Sequence, residues 1–122
     1  MARLILDTNI LIDFLKGVPE ARDYVLDPAG ADISVISWIE VMSGVRSDEE
    51  AGVRELLDGL RVLQLTSRVA QEAASIRQSR RLKLPDAVIL ATARLAGATL
   101  VTRNSKDFAA TEHGVLVPYI LQ

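Results

Sequence analysis

The chain has 122 residues, enough for one compact core, and its content of 49% apolar and 25% charged residues excludes a disordered tail protein. Fourteen basic against sixteen acidic residues leave a net charge of −2, which excludes a protein that gathers nucleic acid by bulk attraction but leaves room for a local phosphate site. The absence of cysteine excludes disulfides, thiolate metal sites and thiol nucleophiles, and it suits a reducing cytosol.

From the amino end, Leu4-Ile5-Leu6 reads as a buried strand that stops at Asp7-Thr8-Asn9, three residue types that cap helices. Ile10, Leu11, Phe14 and Leu15 then recur at helical spacing up to Gly17. Pro19 suits the first turn of a second helix through Leu26, which ends in the turn sequence Asp27-Pro28-Ala29-Gly30. A second strand is expected over Ile33 to Ile36, followed by a helix opened by a capping box, Ser37 with Glu40, and closed by Gly44. Further helices are expected over Asp48 to Leu60, from Thr66-Ser67 to Arg80, and from Pro85-Asp86 through Ala96, where Gly97 ends the run. Short strands are expected at Arg61 to Leu65, Thr99 to Val101 and Val115 to Val117. This alternation predicts an α/β fold around a mostly parallel sheet, with residues 1–122 as one domain. No apolar run reaches the ~18 residues of a membrane span, because Asp7, Glu40 and Arg94 interrupt every hydrophobic stretch. Met1-Ala2-Arg3-Leu4 has no apolar signal segment, so a cytoplasmic protein is expected.

Ligands of open α/β sheets bind beyond the carboxyl ends of the strands, so the acids near those ends carry the functional information. Asp7 ends the first strand, Glu40 follows the second by one helical turn, and Asp107 lies in the loop Asn104-Ser105-Lys106-Asp107 after the fourth. Asp86 reaches the same edge if its helix runs antiparallel to the strand that follows. Four converging carboxylates repel one another unless a cation neutralises them. Oxygen donors without histidine or cysteine suit Mg²⁺ or Mn²⁺ rather than zinc, and such a cluster suits metal-assisted phosphodiester hydrolysis. Each acid also has a bland explanation: Asp7 as a cap, Glu40 as the partner of Ser37, Asp86 as a helix-dipole charge and Asp107 as a turn residue. Those explanations do not account for all four falling at one edge. Asp13, Asp23, Asp48, Glu49, Glu50, Asp58 and Glu72 read as solvated surface.

Four segments carry a family resemblance across nearly the whole chain. They are Leu6-Asp7-Thr8-Asn9 with Leu11-Ile12-Asp13, Ser34 to Glu40 with Gly44, Leu84 to Ala93, and Thr102 to Phe108. In this order and spacing they resemble the PIN-domain ribonucleases, specifically the VapC toxins of type II toxin–antitoxin pairs. The resemblance implies a three-layer α/β/α sandwich and a Mg²⁺- or Mn²⁺-dependent endoribonuclease acting on structured RNA such as tRNA or rRNA. It further implies a catalytic, metal-holding set of Asp7, Glu40, Asp86 and Asp107, a homodimer, and a cognate VapB-like antitoxin covering the cleft. Thr8, Asn9, Ser37, Thr102 and Asn104 fall at supporting positions, with Ser37 either touching the site or only capping. Some relatives carry an acid where this chain has Asn104, so the resemblance leaves the fourth ligand open between Asp107 and Asn104, with Asn104 holding a water or an Asp107 oxygen.

RNA phosphates need cations beside the acids, and Arg103, Lys106 and the run Arg80-Arg81-Leu82-Lys83 supply them, with Arg81 and Lys83 the candidates within the run. A helix end with favourable dipole charges explains that run equally well. Trp38, Phe14 and Phe108 read as core, and His113 as a turn residue. Two rivals remain at this point: a Mg²⁺-binding receiver-like signalling domain, and a catalytically silent interaction module of the same fold. Flap-type deoxyribonucleases of similar fold generally carry helical insertions for which 122 residues leave no room.

Overall fold

The computed structural model describes residues 3–121. Five strands, β1 (Leu4–Leu6), β2 (Ala31–Ser34), β3 (Arg61–Leu63), β4 (Thr99–Val101) and β5 (Val115–Leu116), form one sheet in the order β3-β2-β1-β4-β5. Every pairing is parallel, with Ile5 opposite both Asp32 and Leu100. Six helices connect them: α1 (Thr8–Leu15), α2 (Pro19–Val25), α3 (Val35–Ser43), α4 (Glu50–Asp58), α5 (Ser67–Ser79) and α6 (Leu84–Ala96). Among the described residues no helix is long and apolar enough to cross a membrane.

The pleat of the central strands divides the core into two faces. Ile5 and Leu100 point into one cluster with α5, α6 and Phe108. Leu6 and Val101 point into the other, with α1 to α4. The outcome is the expected three-layer sandwich, with burial on both sides of a parallel sheet.

Strand order decides where a ligand can sit. It reverses direction between β1 and β4, and the crevice of such a sheet opens at the carboxyl ends of the two strands flanking the switch. A receiver-like domain would have the order 2-1-3-4-5. The observed order excludes it.

Two boundaries differ from expectation in a way that matters for function. β2 spans Ala31–Ser34 rather than Ile33 to Ile36, and Ser34, not Ser37, caps α3 by accepting the Ile36 N–H. Ser37 therefore lies inside the first turn of α3, fully buried, and the capping box with Glu40 does not form. Both serines offer a capping hydroxyl, and the pairing of β2 with β3 up to Ser34–Leu63 fixes which one is used. The other boundary concerns α6, which starts at Leu84, so that Asp86 sits in its first turn. Its far end turns at Gly97, whose φ of +63° suits glycine, straight into the amino end of β4. α6 therefore runs antiparallel to β4 and brings Asp86 to the carboxyl edge.

Candidate active site

Asp7 occupies the switch point. It leaves β1 as the cap of α1, its Oδ1 accepting the Thr8 N–H at 2.7 Å, while its Oδ2 accepts the Thr102 hydroxyl at 2.7 Å from the end of β4. Capping and site membership are thus compatible roles for one carboxylate. Only 5% of Asp7 is exposed, and both partners are neutral. Burial pushes its carboxyl up to about 6, helped by the charges of Asp86 and Glu40 and opposed by the two hydrogen bonds.

The supporting residues organise around this carboxylate. Thr102 Oγ1 accepts from Asn104 N–H at 3.0 Å and from Asn9 Nδ2 at 3.4 Å, which leaves its proton for Asp7. The Thr8 hydroxyl donates to Glu40 Oε1 at 2.7 Å and lies 3.0 Å from Ser37 Oγ. Ser37 thus contacts the site through Thr8. Glu40 is an exposed residue at the rim.

On the other side of the crevice, burial raises the Asp86 carboxyl, and the charges of Asp107 and Glu40 raise it further against the pull of Lys83. Asp107 and Asn104 hold each other: Asn104 Nδ2 donates to Asp107 Oδ2 at 2.9 Å, and the Asp107 N–H donates to Asn104 Oδ1 at 3.2 Å. Arg80 braces this loop from outside, donating to the Asp107 carbonyl at 2.7 Å and pairing with Glu112 at 2.8 Å.

A cavity of about 780 Å³ opens beside these acids, lined by Asp86, Asn104 and Asp107 and by the cations Arg81, Lys83 and Lys106. These three cations are exposed and take part in no ion pair among the described residues. Arg103 is placed differently, with its guanidinium turned onto Asp13.

The donor set fits a hard cation. All donors are oxygens, and Asp7 and Asp86 carry repulsion that no neighbouring cation cancels at Asp7. Among the described residues no three acids are gathered into a closed ligand set.

The PIN domain family matches residues 4–114. Ribonuclease VapC10 of Mycobacterium tuberculosis is 34% identical over 118 residues, covering 89% of this chain and 88% of the relative. The chain belongs to the PIN-domain family of VapC ribonucleases. A toxin–antitoxin complex from Klebsiella pneumoniae contains a chain with 41% identity and a TM-score of 0.90, covering 97% of this chain and 99% of that one. A DNA-bound VapBC from Salmonella typhimurium has a chain with 25% identity and a TM-score of 0.77, covering 95% and 96%.

Two buried acids of this PIN domain were not legible as such. Asp13, expected at the surface, is 2% exposed. On the α1 wheel it lies some 60° from Ile10 on the apolar side, while Ile12 lies opposite and is 36% exposed. Wheel geometry was the available signal. Asp32 is fully buried inside β2, where Arg3 and Arg61 meet it at 2.7 and 2.6 Å. An acid within a buried strand demands such partners, and Arg61 stands directly opposite in β3.

Proposed function

We propose that this chain is a divalent-metal-dependent endoribonuclease and the toxin of a type II toxin–antitoxin pair, acting in the cytoplasm on structured RNA as a homodimer. The observation that carries the reading is the buried Asp7 at the sheet's switch point, held by neutral donors and left without a cationic partner, with Asp86 acting on it across the crevice. A protein spends stability on such a charge only where something else compensates it. The 34% identity to a ribonuclease supports the activity, and the likeness to chains of toxin–antitoxin complexes supports an antitoxin partner.

In this reading Asp7 and Asp86 hold the cation, with Glu40 and Asp107 assisting directly or through water. A divalent cation bound there supplies Lewis acidity, lowering the pKa of an attacking water and neutralising charge on the phosphodiester. Thr102 and the Thr8 N–H fix both Asp7 oxygens, so the carboxylate presents its remaining lone pairs in one orientation. The Thr8 hydroxyl, itself against Ser37, holds one oxygen of Glu40, and Asn104 holds one oxygen of Asp107. Arg81, Lys83 and Lys106 line the way in and attract the RNA backbone. His113 is exposed and is not among the residues lining the cavity beside the acids, and no side-chain nucleophile is required.

Incubating pooled cellular RNA with the purified chain and Mg²⁺, Mn²⁺ or EDTA, beside Asp7→Asn, tests the proposal. Discrete cuts that need metal and vanish in the variant are expected. Metal-independent cutting, or full activity of Asp7→Asn, overturns the metal-dependent reading, and no cutting under any condition leaves the silent interaction module as the better one.

A further inference from the structure

Arg103 follows Thr102 at the end of β4 and would be a natural phosphate contact, yet its guanidinium is committed. Nε donates to Asp13 Oδ2 at 2.7 Å and Nη2 to Asp13 Oδ1 at 3.0 Å, a two-pronged grip on a side chain only 3% exposed. The Tyr119 hydroxyl donates to the same Oδ2 at 2.8 Å. Three donors from two distant segments thus converge on one α1 carboxylate. The contacts continue toward the cleft: the Arg103 N–H donates to Asn9 Oδ1 at 3.2 Å, Asn9 Nδ2 reaches Thr102 Oγ1 at 3.4 Å, and the Thr102 hydroxyl donates to Asp7.

We propose that Arg103, Asp13 and Tyr119 form a strut that positions Thr102, and through it the Asp7 carboxylate, so that Arg103 is a positioning residue and not an RNA contact. This rests on the ribonuclease reading above. The reasons are geometric. Thr102 is the chain neighbour of Arg103, so anchoring that guanidinium and the Arg103 N–H restrains the backbone that carries the hydroxyl holding Asp7 Oδ2. A planar fork fixes direction as well as distance, which the point charge of a lysine does not. Tyr119 extends the strut beyond residue 114, where the family match ends, and so ties the carboxyl-terminal segment to the site. Burial first, and then the bond to Asp13, raise the Tyr119 phenol above its ordinary value, keeping it a donor at any working pH.

The test compares wild type, Arg103→Lys, Asp13→Asn and Tyr119→Phe on a fluorogenic RNA oligonucleotide carrying a site cut by the wild type. Mn²⁺ binding to each protein is measured in parallel by calorimetry, and folding by near-ultraviolet circular dichroism. Loss of a support for a metal-holding carboxylate costs about 10- to 100-fold in activity or metal affinity. Arg103→Lys and Asp13→Asn are therefore expected to lose kcat on that scale with KM unchanged, and to bind Mn²⁺ more weakly. Tyr119→Phe is expected to lose less in the same direction. A rise in KM confined to Arg103→Lys, with the other two variants at wild-type rates, overturns the strut in favour of an RNA contact. If Asp13→Asn does not fold, Tyr119→Phe decides alone, since it removes one hydroxyl from a partly exposed ring. A wild type that cuts no RNA overturns the ribonuclease reading, and the Mn²⁺ titrations then judge the strut separately, equal affinities in all folded variants overturning it.

Discussion

The two edges of the sheet each bury an aspartate, and they treat it in opposite ways. At the amino edge Asp32 is fully buried, and two guanidiniums grip it, Arg3 through Nε and Nη2 and Arg61 through Nε and Nη2. Burial alone would raise its carboxyl, but the two arginines prevail and hold it below its ordinary value. At the carboxyl edge Asp7 is almost as buried, yet it receives only an amide and a hydroxyl, and its carboxyl rises to about 6. The chain therefore has the means to neutralise a buried acid and withholds them from the cleft. Residue type and burial do not distinguish these two carboxylates, and in the proposed function the charge of their partners is what sets the metal-holding one apart from the structural one.

The largest effect that would sharpen this contrast is on activity. Asp7→Asn or Asp86→Asn is expected to lower RNA cleavage by about 10³ or more while leaving the fold intact, because cation-based charge stabilisation is worth several kcal/mol. Asp32→Asn is expected to leave cleavage within about twofold, a change below ~0.5 kcal/mol. Equal losses at both edges would break the contrast.

Stability should run the other way. Asp32→Asn is expected to destabilise by about 2 kcal/mol in urea, less than for a wholly buried pair because water reaches both guanidiniums. Its folded-state pKa is lowered, so the contribution is present above the unfolded carboxyl value of about 4 and fades as pH falls through the lower folded value. Wild type and variant should converge in acid.

For Asp7 the sign reverses. A folded pKa raised from 3.8 to about 6 means that ionisation of the buried group costs about 3 kcal/mol, absent below pH 3.8 and complete above about 6. Replacement by Asn also disturbs the Thr102 bond, at about 1 to 2 kcal/mol. In EDTA, Asp7→Asn is expected to be about 1 kcal/mol more stable than wild type at pH 7.5, and to lose that advantage by pH 4. A loss of stability at pH 7.5 would make Asp7 a cap and nothing more.

The smallest effect concerns the cations that stay free. Lys106→Gln is expected to weaken RNA binding a few-fold and to lower the salt dependence of affinity by about one unit of slope, with kcat little changed. A large kcat effect would place Lys106 with the acids instead.

Much of this molecule is local in origin and was therefore legible. Apolar spacing, Pro19 and Pro85 at helix starts, Gly97 at a helix end and the short aliphatic runs set the order of elements, and parallel α/β packing follows from their alternation. Three of the acids could be placed at one edge by the rule that loops leaving parallel strands share a side, Asp86 joined them only on condition that its helix runs antiparallel to the next strand, and the motifs named the family. What the sequence left open were questions of pairing. The capping-box pattern pointed to Ser37, but the alignment of β3 beside β2 makes Ser34 the cap and sends Ser37 to Thr8. Arg103 and Lys106 are equivalent cations three residues apart until α1 folds back and offers Asp13 to only one of them. Local patterns follow from steric and solvation preferences acting over a few residues. The charge state of a buried group depends on partners tens of residues away, such as Asp13 with Arg103 or Asp32 with Arg3 and Arg61, and only the closed sheet brings those together.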